Sequence, residues 1–463
     1  MRIWTTTSLV AWSITACAAA LHVGCDQAAT ASDDAGTPTP NPNPEPDASA
    51  TETDGGDGDG GGGGGDGSGG TQIAAGGEHT CIVFGGKVKC WGRNQDGQLG
   101  LGDTNNRGDE EDEMGAALGV VDVGGVVVAL SAGSEHTCAL LEGGDVKCWG
   151  SNISGRLGLG DGVTRGDDPN EMGAALAKVD LEAPAVAVTA GGLHTCALLQ
   201  GGKIKCWGNN GLGQLGLGDS SNRENPVDVA LGDGVTATAI SAGYGHTCAV
   251  LTGGILKCWG DNVSGQLGLG DAENRGDKAG ETVAALPAIA LGGKATAVSA
   301  GGYHTCAQLE DGRVKCWGSN TFGQLGLGDA EHRGDGPDEM GDALGAVELA
   351  APVKTVMAGS HHTCAFLTTG AVQCWGQNHL YGQLGIGEND HRGDGPNEMG
   401  QNLPAVKLEP ATLSLSVGAF HNCAVLEGGA VKCWGKNENG QLGLGSIENE
   451  RLVNTSLPAV SVE

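Results

Sequence analysis

Apolar residues along this chain come in short runs divided by glycine and polar turns, and helical periodicity is hard to find. The clearest unit is a hairpin. In one copy, Thr137-Cys138-Ala139-Leu140-Leu141 and Asp145-Val146-Lys147-Cys148-Trp149 flank Glu142-Gly143-Gly144. Glycine supplies the positive φ that such a turn requires. Another apolar segment precedes the hairpin, as in Ala297-Val298-Ser299-Ala300, and a further one follows a long loop, as in Leu286-Pro287-Ala288-Ile289-Ala290. Four short strands per unit is the pattern of a β-propeller blade.

The unit recurs from residue 71 onward as A-G-x-x-H-T-C-A-L-L-x-G-G-x-V-K-C-W-G-x-N-x-x-G-Q-L-G-L-G-D. Its first cysteines are Cys81, Cys138, Cys196, Cys248, Cys306, Cys364 and Cys423, at steps of 52 to 59 residues. This predicts an all-β, seven-bladed propeller of four-stranded antiparallel blades over residues 71–463. The segments Gln72–Ala75 and Leu457–Val462 should meet where the ring closes. Folding the hairpin about Gly143 sets Cys138 directly opposite Cys148, within reach of a disulfide. The same geometry predicts Cys81–Cys90, Cys196–Cys206, Cys248–Cys258, Cys306–Cys316, Cys364–Cys374 and Cys423–Cys433. Zinc sites draw on closely spaced cysteine knuckles, which these pairs are not. Chain entropy assigns a loop of this size about 2–3 kcal/mol, less where the hairpin is already local.

The motifs G-x-x-H-T, C-W-G-x-N and G-Q-L-G-L-G resemble the regulator of chromosome condensation repeat family, and the resemblance spans residues 71–463. It implies a seven-bladed propeller with the repeat histidines (His79, His136, His194, His246, His304, His362 and His421) and the repeat tryptophans as structural hallmarks. The family's best-known member is an exchange factor for a nuclear GTPase. An export-like start, an acidic balance and one cysteine pair per blade set this chain apart from intracellular members. The resemblance therefore points to fold and binding, with regulation of the GTPase-exchange kind as analogy alone.

Charge narrows the partners. The formal net charge is −31, and residues 71–463 hold 46 Asp plus Glu against 24 Lys plus Arg. Nucleic-acid binding needs a basic footprint, and none is visible. Attraction to an anionic membrane surface is disfavoured for the same reason. At the start, Arg2 precedes an apolar, small-residue stretch from Ser8 to Gly24, which reads as an export signal over 1–24. It ends at Cys25. Lipidation of Cys25 would leave no thiol unpaired, since 14 of the 16 Cys lie in the hairpins and Cys17 would leave with the signal. Ile14-Thr15-Ala16-Cys17 fits a lipoprotein signal more closely but leaves a very short leader, and simple cleavage near Ala20 is a third option. Residues 25–70, rich in Pro, Gly and Asp, read as a disordered tether.

No nucleophile elbow, phosphate loop or H-E-x-x-H is present, so no catalytic residue, metal or cofactor is expected. Arg-Gly-Asp begins at Arg107, Arg165, Arg275, Arg333 and Arg392, always inside the repeat, and reads as framework rather than adhesion signal. Acids of the same loops, such as Asp103, Asp109 and Glu113 or Asp329, Asp335 and Glu339, read as solvated, with calcium binding the sharper alternative. The Lys or Gln before each second cysteine is expected as a solvated or blade-edge residue.

Binding positions follow from what varies. The segments before the histidine and after C-W-G share the open end of the hairpin, hence one face of the ring. Before the histidine stand Glu78, Glu135, Leu193, Gly245, Tyr303, His361 and Phe420, with Tyr244 one earlier. After C-W-G-x-N stand Gln95, Ile153, Gly211, Val263, Thr321, His379 and Glu438, with Leu212, Phe322, Leu380 and Tyr381 beside them. The candidate partner-binding residues are Leu193, Tyr244, Tyr303, Phe322, Tyr381 and Phe420, since aromatics clustered on one face make a hot spot. The chain is thus expected to be an exported, surface-tethered, non-enzymatic scaffold that binds an extracytoplasmic protein or glycan and meets the membrane through its lipid alone. The alternatives are an inhibitor or regulator of a secreted enzyme, and a propeller hydrolase, which would require acids or histidines unique to one blade.

Overall fold

The computed structural model describes residues 71–453 and 456–462. The signal expected over 1–24, the tether over 25–70 and lipidation at Cys25 lie outside the described residues. Seven antiparallel sheets are present, each built on the predicted hairpin. In the second, the inner strand Val127–Ala132 pairs with His136–Leu141, which pairs with Val146–Gly150. The inner strands pack in chain order around a central channel, and the first, Gln72–Ala75, lies against the last, Thr412–Val417. The ring is closed.

Within each hairpin the two cysteines are direct register partners, as at Cys138 and Cys148. All seven predicted disulfides are formed, with Cα atoms 4.0–4.1 Å apart. That spacing is the close, non-hydrogen-bonded pair of an antiparallel ladder, the kind that brings Cβ atoms within bonding reach.

Among the described residues the fourth strand is complete only in the third blade, at Arg223–Asp228, and is two residues long in the sixth, Ala405–Val406. Elsewhere the outer segment makes a single ladder contact, such as Val121 with Val88 and Val460 with Val431. Proline explains part of this. Pro287 and Pro458 stand in these segments and cannot donate to a ladder, and even the complete strand shifts register between Arg223 and Val227, across Pro226. Among the described residues the first and last segments do not exchange strands. Gln72–Ala75 is the inner strand of the first blade, Val460 edges the last, and Ser461 O accepts from Gly115 N at 2.9 Å across the seam. One expectation is corrected here. The Lys or Gln before the second cysteine is mostly buried, not solvated. Its stem lies under the outer loop while its head donates to loop carbonyls: Lys89 Nζ to Gly115 O at 2.8 Å, Lys147 Nζ to Val123 O at 2.9 Å and Lys315 Nζ to Gly341 O at 2.7 Å.

The core lies between blades. Trp149 packs in one cluster with Cys81, Cys90, Val88 and Leu99 of the preceding blade, and each repeat tryptophan does the same around the ring. One hydrogen-bond set closes every interface. His79 Nε2 bonds Thr137 Oγ1 at 2.9 Å, while that hydroxyl and Trp149 Nε1 both donate to Gln98 O, at 2.9 and 3.0 Å. At the seam, His421 Nε2 bonds Thr80 Oγ1 at 2.8 Å, and Thr80 and Trp91 donate to Gln441 O. The hydroxyl has one proton and gives it to a carbonyl, so the imidazole must be the donor to it. Each ring is therefore a neutral Nε2–H tautomer. The seventh blade has Asn422 where the others have threonine, and the polarity survives. His362 Nε2 donates to Asn422 Oδ1 at 2.8 Å, and Asn422 Nδ2 donates to Gln383 O at 2.7 Å.

Burial drives these histidines far below their usual 6.5, to about 3 at His79, His194 and His421 and about 4 at His246 and His362. Below pH 6.5 the unfolded chain therefore takes protons that the folded chain refuses. Each such histidine costs stability at about 1.4 kcal/mol per pH unit until the folded value is reached. The urea midpoint should hold steady above about pH 6.5 and fall continuously toward pH 4, with several protons taken up on unfolding at pH 5. A midpoint unmoved across that range, measured by fluorescence, would mean that the rings can charge in place.

Candidate functional site

The open ends of the hairpins form one face. The residue after C-W-G donates its amide to the residue before the histidine in every blade, as Arg93 N to Glu78 O at 2.9 Å and Ser319 N to Tyr303 O at 2.8 Å. The glycine of C-W-G permits this. Gly150 has φ +100°, and a Cβ there would sit 2.6 Å from Glu135 O. At the centre, a narrow channel mouth of about 120 Å³ is lined by the A-G-x residues of all seven blades. Backbone bonds between neighbouring blades surround it, such as Gly77 N to Gly133 O at 3.0 Å and Ala419 N to Gly76 O at 3.0 Å.

On blades four to seven this face carries a run of rings in contact. Tyr244 lies 6.2 Å from Tyr303, which stacks on His361 at 5.5 Å. His361 meets Phe322 at 5.5 Å and Phe420 at 6.2 Å, and Phe420 meets Tyr381 edge-on at 5.6 Å. Lys436 Nζ lies 5.3 Å from the Tyr381 centroid and 5.8 Å from that of Phe420. Five of the six candidate residues are thus brought together. Leu193, in the third blade, is half-buried and is not part of this run. Tyr244 is 47% exposed, and Leu380, beside Tyr381 in the chain, is 51% exposed. Burial holds the His361 imidazole below its ordinary value, so at neutral pH the run has an uncharged ring at its centre.

The remaining arc of the face is ionic. Lys436 pairs with Glu78, Arg93 bridges Glu78 and Glu135 at 4.0 and 3.0 Å, and Arg156 reaches Glu135 at 3.5 Å. Arg156 is the departure from symmetry. Six blades have a glutamine in G-Q-L-G, and Arg156 occupies its place in the second. In five of those six the glutamine Oε1 accepts a loop amide, as from Asp96 N to Gln98 at 3.0 Å or Phe322 N to Gln324 at 3.0 Å. Arginine cannot accept. The loop at Ile153–Gly155 rearranges, and Ser154 takes φ +65°. The guanidinium is buried, and burial pulls its pKa down.

The loops beyond this face are framework. In each Arg-Gly-Asp copy the arginine turns back on an acid four residues earlier, Arg107 on Asp103 at 2.7 Å and Arg333 on Asp329 at 2.7 Å. Its backbone also bridges the glycine of C-W-G, Arg107 with Gly92. Four of the six acids that could ligate calcium are engaged elsewhere. Asp103 holds Arg107, and Glu113 and Glu339 accept the amides of Gly108 and Gly334, each at 2.9 Å. Among the described residues no three metal-ligating side chains gather.

His361 and Arg156 went unnoticed as site residues in the sequence. Both carried a signal. His361 stands at the variable position before the repeat histidine, the position that also holds Tyr303 and Phe420. Arg156 interrupts a motif that is otherwise constant.

The profile of the RCC1-like domain matches residues 116–462, and that of the regulator of chromosome condensation (RCC1) repeat matches residues 71–98. The ultraviolet-B receptor UVR8 of Arabidopsis thaliana is 32% identical over 383 residues, which is 81% of this chain and 78% of the receptor. The human E3 ubiquitin-protein ligase HERC2 is 30% identical over 380 residues, 81% of this chain but 7% of the ligase. Among solved structures, yeast RCC1 (Prp20) bound to Kap60 superposes with a TM-score of 0.62 at 21% identity, covering 81% of this chain and 83% of that one. Human WBSCR16 superposes with a TM-score of 0.58 at 20% identity, covering 78% and 89%. At these identities the structures speak for the fold.

Arg156→Gln should restore the loop acceptor, free Ser154 from its left-handed backbone and remove a buried cation. We expect a gain of about 1–2 kcal/mol, read as a raised thermal midpoint. A lowered midpoint would show that the bonds to Glu135 and Gly192 O outweigh the burial cost.

Proposed function

The chain belongs to the RCC1-like domain family, and from that membership and the asymmetry of its ring face we propose that it is a non-enzymatic binding module, exported and tethered at a membrane, that captures a protein partner. One observation carries this reading: the continuous run of Tyr244, Tyr303, His361, Phe420 and Tyr381 on an otherwise repetitive ring. Packing between blades already uses the tryptophans, so these rings are not needed for the core. Aromatics held rigidly on an accessible face are the residues that dominate protein interfaces. The names of relatives agree with binding. A ubiquitin ligase is similar to this chain over a small part of its length, and one solved structure has yeast RCC1 (Prp20) with Kap60 bound.

Export and tethering rest on other support. One disulfide per blade suits an oxidising compartment, and the apolar start ending at Cys25 suits a lipidated leader. The acidic balance of residues 71–463 favours a partner with basic surface.

Two measurements test this. In cells carrying the full chain, surface-impermeant crosslinking should recover a partner whose yield falls at least about tenfold when Tyr303, Tyr381 and Phe420 are all changed to Ala, as loss of a hot spot requires. Glu427→Ala, at a hairpin tip on the opposite face, should leave it unchanged. Recovery unaffected by the triple change would remove the face from consideration. Separately, Cys25→Ser should abolish incorporation of labelled palmitate and release the protein from the membrane fraction, and an unlabelled wild-type chain would overturn the anchor.

A further inference from the structure

The ring face contains its own comparison between two blades. The residue after C-W-G occupies one framework place, bonded through its amide to the residue before the histidine. In the seventh blade this is Lys436, bonded to Phe420 O at 3.0 Å, and in the fourth it is Asp261, bonded to Gly245 O at 2.9 Å. Lys436 lies against Tyr381 and Phe420, and Glu78 and Glu438 neutralise it. That end of the aromatic run is already filled by the chain's own cation. At the other end the sign is reversed.

Asp261 accepts Val263 N at 3.3 Å and is 9% exposed. Among the described residues it forms no ion pair. Burial raises its pKa, and its amide is tied to Gly245, the neighbour of Tyr244, whose ring meets that of Tyr303 at 6.2 Å. Arg156 acts electrostatically on Tyr244, but its guanidinium is bonded to Glu135 and to Gly192 O. The position before the histidine, which holds Glu78 or Phe420 elsewhere, is here Gly245, so no side chain covers Asp261 from that place. A Cβ there would come within 3.2 Å of Asp261 Cβ and Leu212 Cδ1. Tyr244, beside it, is the most exposed ring of the run.

We propose that Tyr244, Tyr303 and Asp261 form a corner that receives a lysine or arginine side chain of a basic protein partner, as Tyr381, Phe420 and Glu78 receive Lys436. The inference rests on the reading of this face as a protein-binding surface and supplies its chemistry. A cation over an aromatic face gains from the ring quadrupole, and more when partly desolvated. A largely buried carboxylate with no cation gains further when one arrives. The excess of acids over bases in residues 71–463 steers such a partner in.

The test uses the full chain and a fluorescein-labelled octapeptide of alternating glycine and lysine, followed by anisotropy. Wild type should bind it. Asp261→Asn and Tyr303→Leu should each weaken binding at least about tenfold, some 1.4 kcal/mol, with thermal midpoints unchanged. Acetylation of the lysines should abolish binding. Glu427→Gln removes one charge from the opposite face and should change little. Binding indifferent to Asp261→Asn, equal binding of the acetylated peptide, or binding of cellotetraose in place of the peptide would each overturn the proposal. If partner crosslinking still depends on Tyr381 and Phe420 while the peptide ignores Asp261, the face binds protein and only the cation corner is lost.

Discussion

At six of the seven interfaces between blades an imidazole donates to a hydroxyl, and that hydroxyl donates to a carbonyl that also accepts an indole. Everything else in the ring is subordinate to this relay. It is directional, because one hydroxyl proton orients the chain of donors, and it runs the same way round all seven interfaces. It is also dry. The histidines and tryptophans are fully buried, so a broken link leaves a desolvated polar group without a partner, a cost of about 1–3 kcal/mol. The glycines follow from it. The second glycine of G-Q-L-G lies against the indole nitrogen that must reach the carbonyl, and a Cβ at Gly100 would be 2.8 Å from Trp149 Nε1. The one exchange at the relay, Asn422 for threonine, keeps an acceptor toward the histidine and a donor toward the carbonyl.

Relay and disulfides divide the task by distance along the chain. Each bridge spans nine or ten residues and closes a hairpin that its turn already favours. The relay bonds span 53 to 60 residues between successive blades and 341 at the seam. Loop closure over such separations carries the larger entropic cost. The sulfur bridges therefore hold blades as units, while the buried polar bonds hold the units as a ring. A change in redox state and a change in pH strike different levels of the same fold.

Most of this hierarchy is legible from residue patterns. Cys138 and Cys148 announce their pairing because a symmetric turn fixes which residues oppose one another. The repeat histidines announce a structural place because they recur at one strand position. The outer strands were less legible. Alternation marks an apolar segment, but whether Leu286-Pro287-Ala288-Ile289 forms a ladder or touches it once is decided by tertiary contacts. The lysine before the second cysteine misled for a related reason, since its charge signals solvent while its stem and loop carbonyls create a buried seat. At the face, the positions were legible and the contacts were not. Tyr244 and Tyr381 are far apart in the chain, and only ring geometry shows that Tyr303, His361 and Phe420 join them.

The seven-fold framework also explains where individuality can accumulate. Positions in the relay cannot drift without opening an interface, so variation collects at the residues before the histidine and after C-W-G, which need only their backbones to bond. Two arcs result, and they differ in how fully their interactions are spent. In the ionic arc, Lys436, Glu78, Arg93, Glu135 and Arg156 alternate in sign and satisfy one another, so a partner would have to break pairs to gain any. In the aromatic arc, rings touch edge and face yet leave Tyr244 open, and rigid side chains on a rigid ring lose little entropy on contact. The arc with unspent interactions is the one that can bind, and Asp261 gives its open end a sign.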